Sequence, residues 1–202
     1  MVAGLRYPKV PGLILPHVLS GSEVLKLLGC ITPLRPRTMC TLIYATGLRI
    51  SEARHLLVTD IDSTRGILHV RQGKGKRDRD LPLGEKLLGV LREYWRILRP
   101  ERPYLFPGDI PGRPITRDSV SVALRRAGKA ARSEKRVFPH MLRHSYTTHL
   151  LEMGTDVRTI QVLLGHAHIN STLRYLHVAR ERFATIKSPF DVLGTKDGEV
   201  LR

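Results

Sequence analysis

The stretch "HMLRH" sets His140, Arg143 and His144 at i, i+3 and i+4, spacings that share one face of a helix. An arginine forks two oxygens of an anion and an imidazole donates to a third, so the trio suits an oxyanion. Two histidines one turn apart also have the spacing of a zinc pair, with His166 or His149 as a third ligand. The fixed cation of Arg143 on the same face repels a metal and argues against that reading. A merely solvated charged face is the plain alternative. "ATGLRISEARHL" adds Arg49 and Glu52 at i and i+3. A carboxylate one turn on holds a guanidinium still, unless the two form only a surface ion pair. "RQGKGKRDRD" puts Lys74 and Lys76, followed by Arg77, in a tight basic turn. Such a turn is usually just solvated, but a lysine there reaches a phosphate, and an ammonium can give a proton to an alkoxide. In "LGHAHINSTLRYLHV", Tyr175 stands nine residues after His166. Taken alone, a tyrosine beside leucines is a packing residue with its hydroxyl at the edge of a core.

The elements that must carry these residues follow from period and punctuation. Residues 1–14 read as a loose arm. "SGSE" from Ser20 fits a capping box with Glu23, and a helix runs to about Gly29. "RPRTMCTLIYATG" predicts a buried helix stopped by Gly47, and "RISEARHLL" a short helix restarting at once, with Arg49 at its start. "TDID", "GILHVRQ" and "RDRDLPL" read as three short antiparallel strands joined by "STRG" and "GKGK" turns. Helices resume with "GEKLLGVLREYWRILR", then at about 116–132, 139–153, 156–164, 170–178 and 180–186, after a Pro/Gly-rich loop. The predicted fold class is mainly α with a small three-stranded antiparallel β-sheet, an α+β domain.

The 202 residues suit one domain, and 42% hydrophobic residues supply a core. A net charge of +16 favours a polyanionic partner. No apolar run approaches a membrane-spanning length, and the proline-interrupted N-terminus is a poor signal peptide. Cys30 and Cys40 make no disulfide framework and are expected as thiols inside helices, in a reducing cytoplasm.

Arg49, a turn lysine at 74, His140-x-x-Arg143, Leu164-Gly165-His166 and Tyr175, in this order, resemble the catalytic domain of the tyrosine site-specific recombinases, the phage-integrase family. The motifs are "ATGLRISE", "GKGKRDRDLPL", "HMLRHSYTTHLLEMG" and "IQVLLGHAHINSTLRYLHV", and the likeness runs from about Leu15 to His177. The resemblance implies a DNA breaking-rejoining enzyme. Tyr175 is then the nucleophile that forms a 3′-phosphotyrosyl bond. Arg49 and Arg143 clamp the nonbridging oxygens, and His140 and His166 add hydrogen bonds. Lys74 protonates the leaving 5′-oxygen, His140 is a candidate base, and Glu52 orients Arg49. Neither His144 nor His177 receives a role. No cofactor, metal or ATP is implied, since the guanidinium groups carry the charge stabilisation.

The implied partner is double-stranded DNA. The helix at 116–132, capped by Thr116, is similar to one docked in the major groove, with Arg117 near a guanine edge and Ser121 on base or phosphate. Arg125 is expected on phosphate, and Lys76 and Arg77 are expected among the DNA-binding residues. The resemblance assigns 15–187 to the catalytic domain and 188–202 to a tail whose apolar residues, with Phe183 and Ile186 just ahead of them, pack on a neighbouring subunit. That implies a monomer when free and a tetramer on paired DNA sites. The family's usual N-terminal core-binding domain is expected to be missing, as in a minimal protein, a truncated gene or a trimmed chain. A type IB topoisomerase-like relaxing activity and a DNA-binding remnant are the alternatives.

Overall fold

The computed structural model describes residues 18–71 and 78–165. Helix α1 (Gly21–Gly29) starts at Ser20, whose hydroxyl accepts from the Glu23 N–H while the Glu23 carboxylate accepts from Ser20 N–H. This reciprocal pair satisfies two amides that the helix cannot. Helix α2 (Leu34–Thr46) is buried along most of its length, which explains why its apolar residues do not confine themselves to one stripe. It ends at Gly47 in the left-handed conformation, φ +67°. Helix α3 (Ile50–His55) follows with Arg49 as its N-cap.

Strands β1 (Ile61–Asp62), β2 (Ile67–Val70) and β3 (Arg79–Pro82) form an antiparallel sheet in that order. The "TDID" segment is only in part a strand. Val58–Asp60 winds into one 3₁₀ turn, because the buried Asp60 carboxylate accepts the Leu57 N–H at 2.8 Å and curls the backbone. In the β2–β3 pairing Leu68 faces Leu81 and Val70 faces Arg79. With period-two alternation, Arg79 therefore shares the buried face of Leu81, while Asp80 is exposed.

Four more helices complete the described fold: α4 (Glu85–Leu98), α5 (Arg117–Ala130), α6 (Pro139–Glu152) and α7 (Val157–Leu164). The Pro/Gly-rich loop ahead of α5 is pinned rather than loose. Leu105 N–H donates to Leu56 O at 2.8 Å, and Tyr94 Oη donates to Leu105 O at 3.0 Å. The main core gathers Leu27, Met39, Leu42, Leu68, Leu124 and Leu142 among others. A smaller apolar cluster of Leu151, Ile160 and Leu164 joins α6 to α7. Cys40 is buried in α2 as expected, but Cys30 caps the end of α1 and is only half-buried, because that helix stops one residue earlier.

The chain enters this fold at a fixed point. Leu19 is buried, and its N–H donates to Ser145 Oγ on α6 at 3.0 Å. Lys135 Nζ donates to Val18 O at 2.9 Å and to Glu23 Oε2 at 2.8 Å. Among the described residues no helix is long and apolar enough to cross a membrane.

Candidate active site

Arg49 is delivered by the Gly47–Leu48 turn between α2 and α3. Both the backbone and the space there demand glycine. A Cβ at residue 47 would sit 2.5 Å from the Tyr146 ring and 2.8 Å from Leu164, at a φ that L-residues avoid. From the start of α3, Arg49 Nη1 donates to Glu52 Oε1 at 2.9 Å, and Arg49 N–H donates to Glu52 Oε2 at 2.8 Å. The same carboxylate takes a bidentate clamp from Arg79 on β3, at 3.1 and 2.8 Å. Arg143 of α6 adds a third guanidinium, its Nη1 lying 4.0 Å from Glu52 Oε2. Among the described residues three cations thus converge on one anion, two positive charges in excess.

The groups lie at different depths. Side-chain exposure is 6% for Glu52, 2% for Arg143, 9% for Arg79 and 22% for Arg49, so Arg49 is the guanidinium that reaches outward. Burial raises the Glu52 pKa, but the hydrogen bonds and charge of Arg79, then the N–H and charge of Arg49, outweigh it. The carboxyl is held below its ordinary range. The pair is therefore no ordinary surface ion pair of the kind that contributes little.

Arg143 also works on the backbone. It donates through Nη1 to Gly47 O and through Nη2 to Leu164 O at 2.8 Å. Those carbonyls belong to the turns that lead into Arg49 and into His166. One side chain thereby ties three motifs that are far apart in sequence.

His140 lies on α6, ahead of Arg143. Partial desolvation of its ring, then the charges of Arg143 and Arg49, hold its pKa below the ordinary histidine value, although the residue keeps exposed surface. Its ring meets that of His144 edge-on, centroids 4.3 Å apart. His149, one of the two candidate third zinc ligands, turns instead to Tyr44, with Nδ1 2.9 Å from Tyr44 Oη. Among the described residues no group of three or more His, Cys, Asp or Glu side chains is placed to hold a metal. A groove of about 680 Å³ opens beside Arg49 and Glu52, with Ser51, His55, Arg71 and Tyr104 on its walls.

Arg49, Glu52, His140 and Arg143 are thus brought together. Arg117, Ser121 and Arg125 sit apart, on α5. Arg117 and Arg125 are exposed, while Ser121 Oγ donates to Arg117 O at 2.9 Å and commits its proton to its own helix. Lys74, Lys76, Arg77, His166, Tyr175 and the tail lie outside the described residues. The residue that sequence reasoning missed is Arg79. Its signal was an arginine in phase with Leu81 on the inward face of a strand, a position that calls for a buried anionic partner.

A mostly helical domain with one small antiparallel sheet is the fold of tyrosine recombinase catalytic domains. The phage integrase family matches residues 17–182, and the chain belongs to that family. The putative integrase/recombinase y4qK of Sinorhizobium fredii is 50% identical over 189 residues, covering 94% of this chain and 61% of that protein. Tyrosine recombinase XerD of Staphylococcus aureus is 37% identical over 187 residues, 87% of this chain and 63% of that protein. The chain therefore spans somewhat less than two thirds of either relative. Among solved structures, XerA recombinase aligns with a TM-score of 0.75 at 31% identity, over 88% of this chain and 65% of that one. The catalytic domain of bacteriophage HP1 integrase shares the fold, with a TM-score of 0.61 at 22% identity over 89% of this chain and 98% of that domain.

Proposed function

We propose that this chain is the catalytic part of a site-specific DNA recombinase that cuts and rejoins strands through Tyr175. The phenol oxygen attacks a phosphodiester phosphorus, the bond to the 5′-oxygen breaks, and a 3′-phosphotyrosyl ester forms. The phenol proton passes to a base, for which neutral His140 is suited, and Lys74 gives a proton to the leaving 5′-oxygen. Reversal by an incoming 5′-hydroxyl regenerates the phenol, so the exchange needs no ATP. Charge gathers on the nonbridging oxygens, and Arg49 and Arg143 are the donors aimed at it, with His166 adding a hydrogen bond. The guanidinium groups supply the charge that a metal would otherwise bring.

The observation that carries this reading is the convergence of three guanidinium groups on Glu52, which leaves a sheltered surplus of positive charge beside an open groove. Such a surplus attracts an anion such as a phosphodiester. The XerH recombinase, 26% identical over 88% of this chain, has been solved bound to its difH substrate after cleavage, which supports DNA as that anion.

A nicked suicide duplex carrying a recombination site tests the reading. The wild-type chain is expected to trap a covalent protein–DNA adduct, undiminished by EDTA, and Tyr175→Phe to bind the duplex without forming one. An adduct from Tyr175→Phe, or one that EDTA abolishes and zinc restores, would overturn it. Binding without any wild-type adduct points to a DNA-binding remnant. Relaxation of supercoils that carry no site points to a topoisomerase-like activity.

A further inference from the structure

We infer that Arg79 is a positioning residue of the active site: by clamping Glu52 and the carbonyl of Leu163, it sets where Arg49 and the turn at Gly165 stand relative to each other. The inference rests on the proposed strand-cleavage reading.

Glu52 has two oxygens and must hold three guanidinium groups. Arg79 takes both oxygens at once, in the planar fork that only an arginine makes. This fixes the plane of the carboxylate. With that plane set, Oε1 and Oε2 receive the Arg49 side chain and the Arg49 N–H from one direction. A third donor, Arg79 Nε, goes to Leu163 O at 2.9 Å, in the last turn of α7. Gly165, the next turn onward, is left-handed at φ +60°, and a Cβ there would lie 3.0 Å from Arg79 Nη1. The guanidinium therefore lies flat against the backbone that leads into His166.

Arg79 itself does not reach outward. Its side chain is 9% exposed against 22% for Arg49, and it lies beneath the carboxylate on the inward face of β3. It acts through Glu52 and through a carbonyl, so it touches no reacting atom. A second consequence concerns charge. Arg79 provides the largest of the influences that keep the buried Glu52 ionised against its own desolvation. Without it, Glu52 takes up a proton at higher pH and releases Arg49.

The test uses the full chain with the suicide duplex, comparing Arg79→Met, Arg79→Lys, Glu52→Gln and the Arg79→Met/Glu52→Gln double variant. Arg79→Met is expected to slow adduct formation about 10- to 100-fold, the size of effect that misplacing a reacting group produces. DNA affinity should stay within about twofold, because Arg79 is not on the binding surface. The acid side of the rate profile should move to higher pH than in the wild type. Arg79→Lys keeps the charge and is expected to fold, but one ammonium cannot grip both oxygens and Leu163 O, so its rate should fall as well. The double variant should be no slower than Glu52→Gln alone, since the two residues act as one unit. Additive losses, an unmoved pH profile in Arg79→Met, or a wild-type rate in Arg79→Lys would overturn the inference. Should Arg79→Met fail to fold, the rate of Arg79→Lys decides. Absence of an adduct from the wild type, or its presence in Tyr175→Phe, would strike the cleavage reading instead.

Discussion

Glu52 is the residue on which the site's charge balance turns. Three guanidinium groups lean on it, and two of them, Arg79 and Arg143, are taken out of water to do so. Removing its charge leaves buried cations without compensation. Glu52→Gln is therefore expected to lower stability by roughly 3 kcal/mol, measured by urea unfolding at neutral pH. The pH dependence follows from the direction of its shift. The folded pKa lies below the ordinary 4.5, so the stabilisation is fully present above that value and is lost as pH falls through the lower folded one. Glu52→Gln should flatten the stability profile in that acid region. His140 works the other way in charge but not in slope. Its folded pKa is below the ordinary 6.5, so on acidification the unfolded chain takes the proton first and stability falls. His140→Gln should remove that decline, and a decline that persists would show that another group is its source.

At the level of elements, the turn between α2 and α3 is the most exacting piece of backbone. Gly47→Ala forces a left-handed alanine and drives its methyl into Tyr146 and Leu164. The expected cost is about 2–4 kcal/mol, from the left-handed backbone plus overpacking. Adding Tyr146→Ala should return only the part due to the Tyr146 clash, because Leu164 stays close and the φ penalty remains. Helix α5 presents a different surface. Its first turn is capped by Thr116, which accepts from Ser119 N–H at 3.1 Å, and it leaves Arg117 and Arg125 exposed. On the proposed function, Arg117→Ala should relax sequence preference in a binding selection, while Arg125→Ala weakens all duplexes alike. Equal, sequence-blind losses from both would remove base reading from this helix. Most of these elements were legible because their signals are local. Ser20 with Glu23, Gly47 after an apolar run and the period-two strands each announce themselves within a few residues. Arg143 was legible as an anion donor from its spacing to His140, but its ties to Gly47 O and Leu164 O were not. Arg79 was missed altogether, because an arginine in a strand reads as surface until the fold places it beside Glu52 and Leu163 O, partners far away in the chain. The 3₁₀ turn at Val58–Asp60 escaped for the opposite reason, since a single side-chain hydrogen bond overrode a strand-like pattern.

On the scale of the whole molecule, a charge of +16 makes any duplex affinity strongly dependent on salt. Binding measured between about 50 and 200 mM salt should fall along a straight line in log–log form. A flat response would mean that phosphate contacts do not hold the complex. If the tail packs on a neighbouring subunit, as the family resemblance implies, deleting the residues from Ser188 onward should reduce cooperative binding to paired sites more than binding to a single site. If the deletion instead unfolds the free chain, the tail belongs to its own core and not to a neighbour. The way the chain enters the fold adds a mechanical property. Tension on the backbone ahead of Val18 does not peel α1 away in a first step. It is borne at two anchors, Lys135 on the Val18 carbonyl and Ser145 on the Leu19 amide. Ser145 is two residues beyond Arg143 on α6, and its hydroxyl also donates to Met141 O. Through Ser145 the upstream chain is thus tied directly to the helix that carries His140 and Arg143, and through Lys135 to the loop just ahead of it.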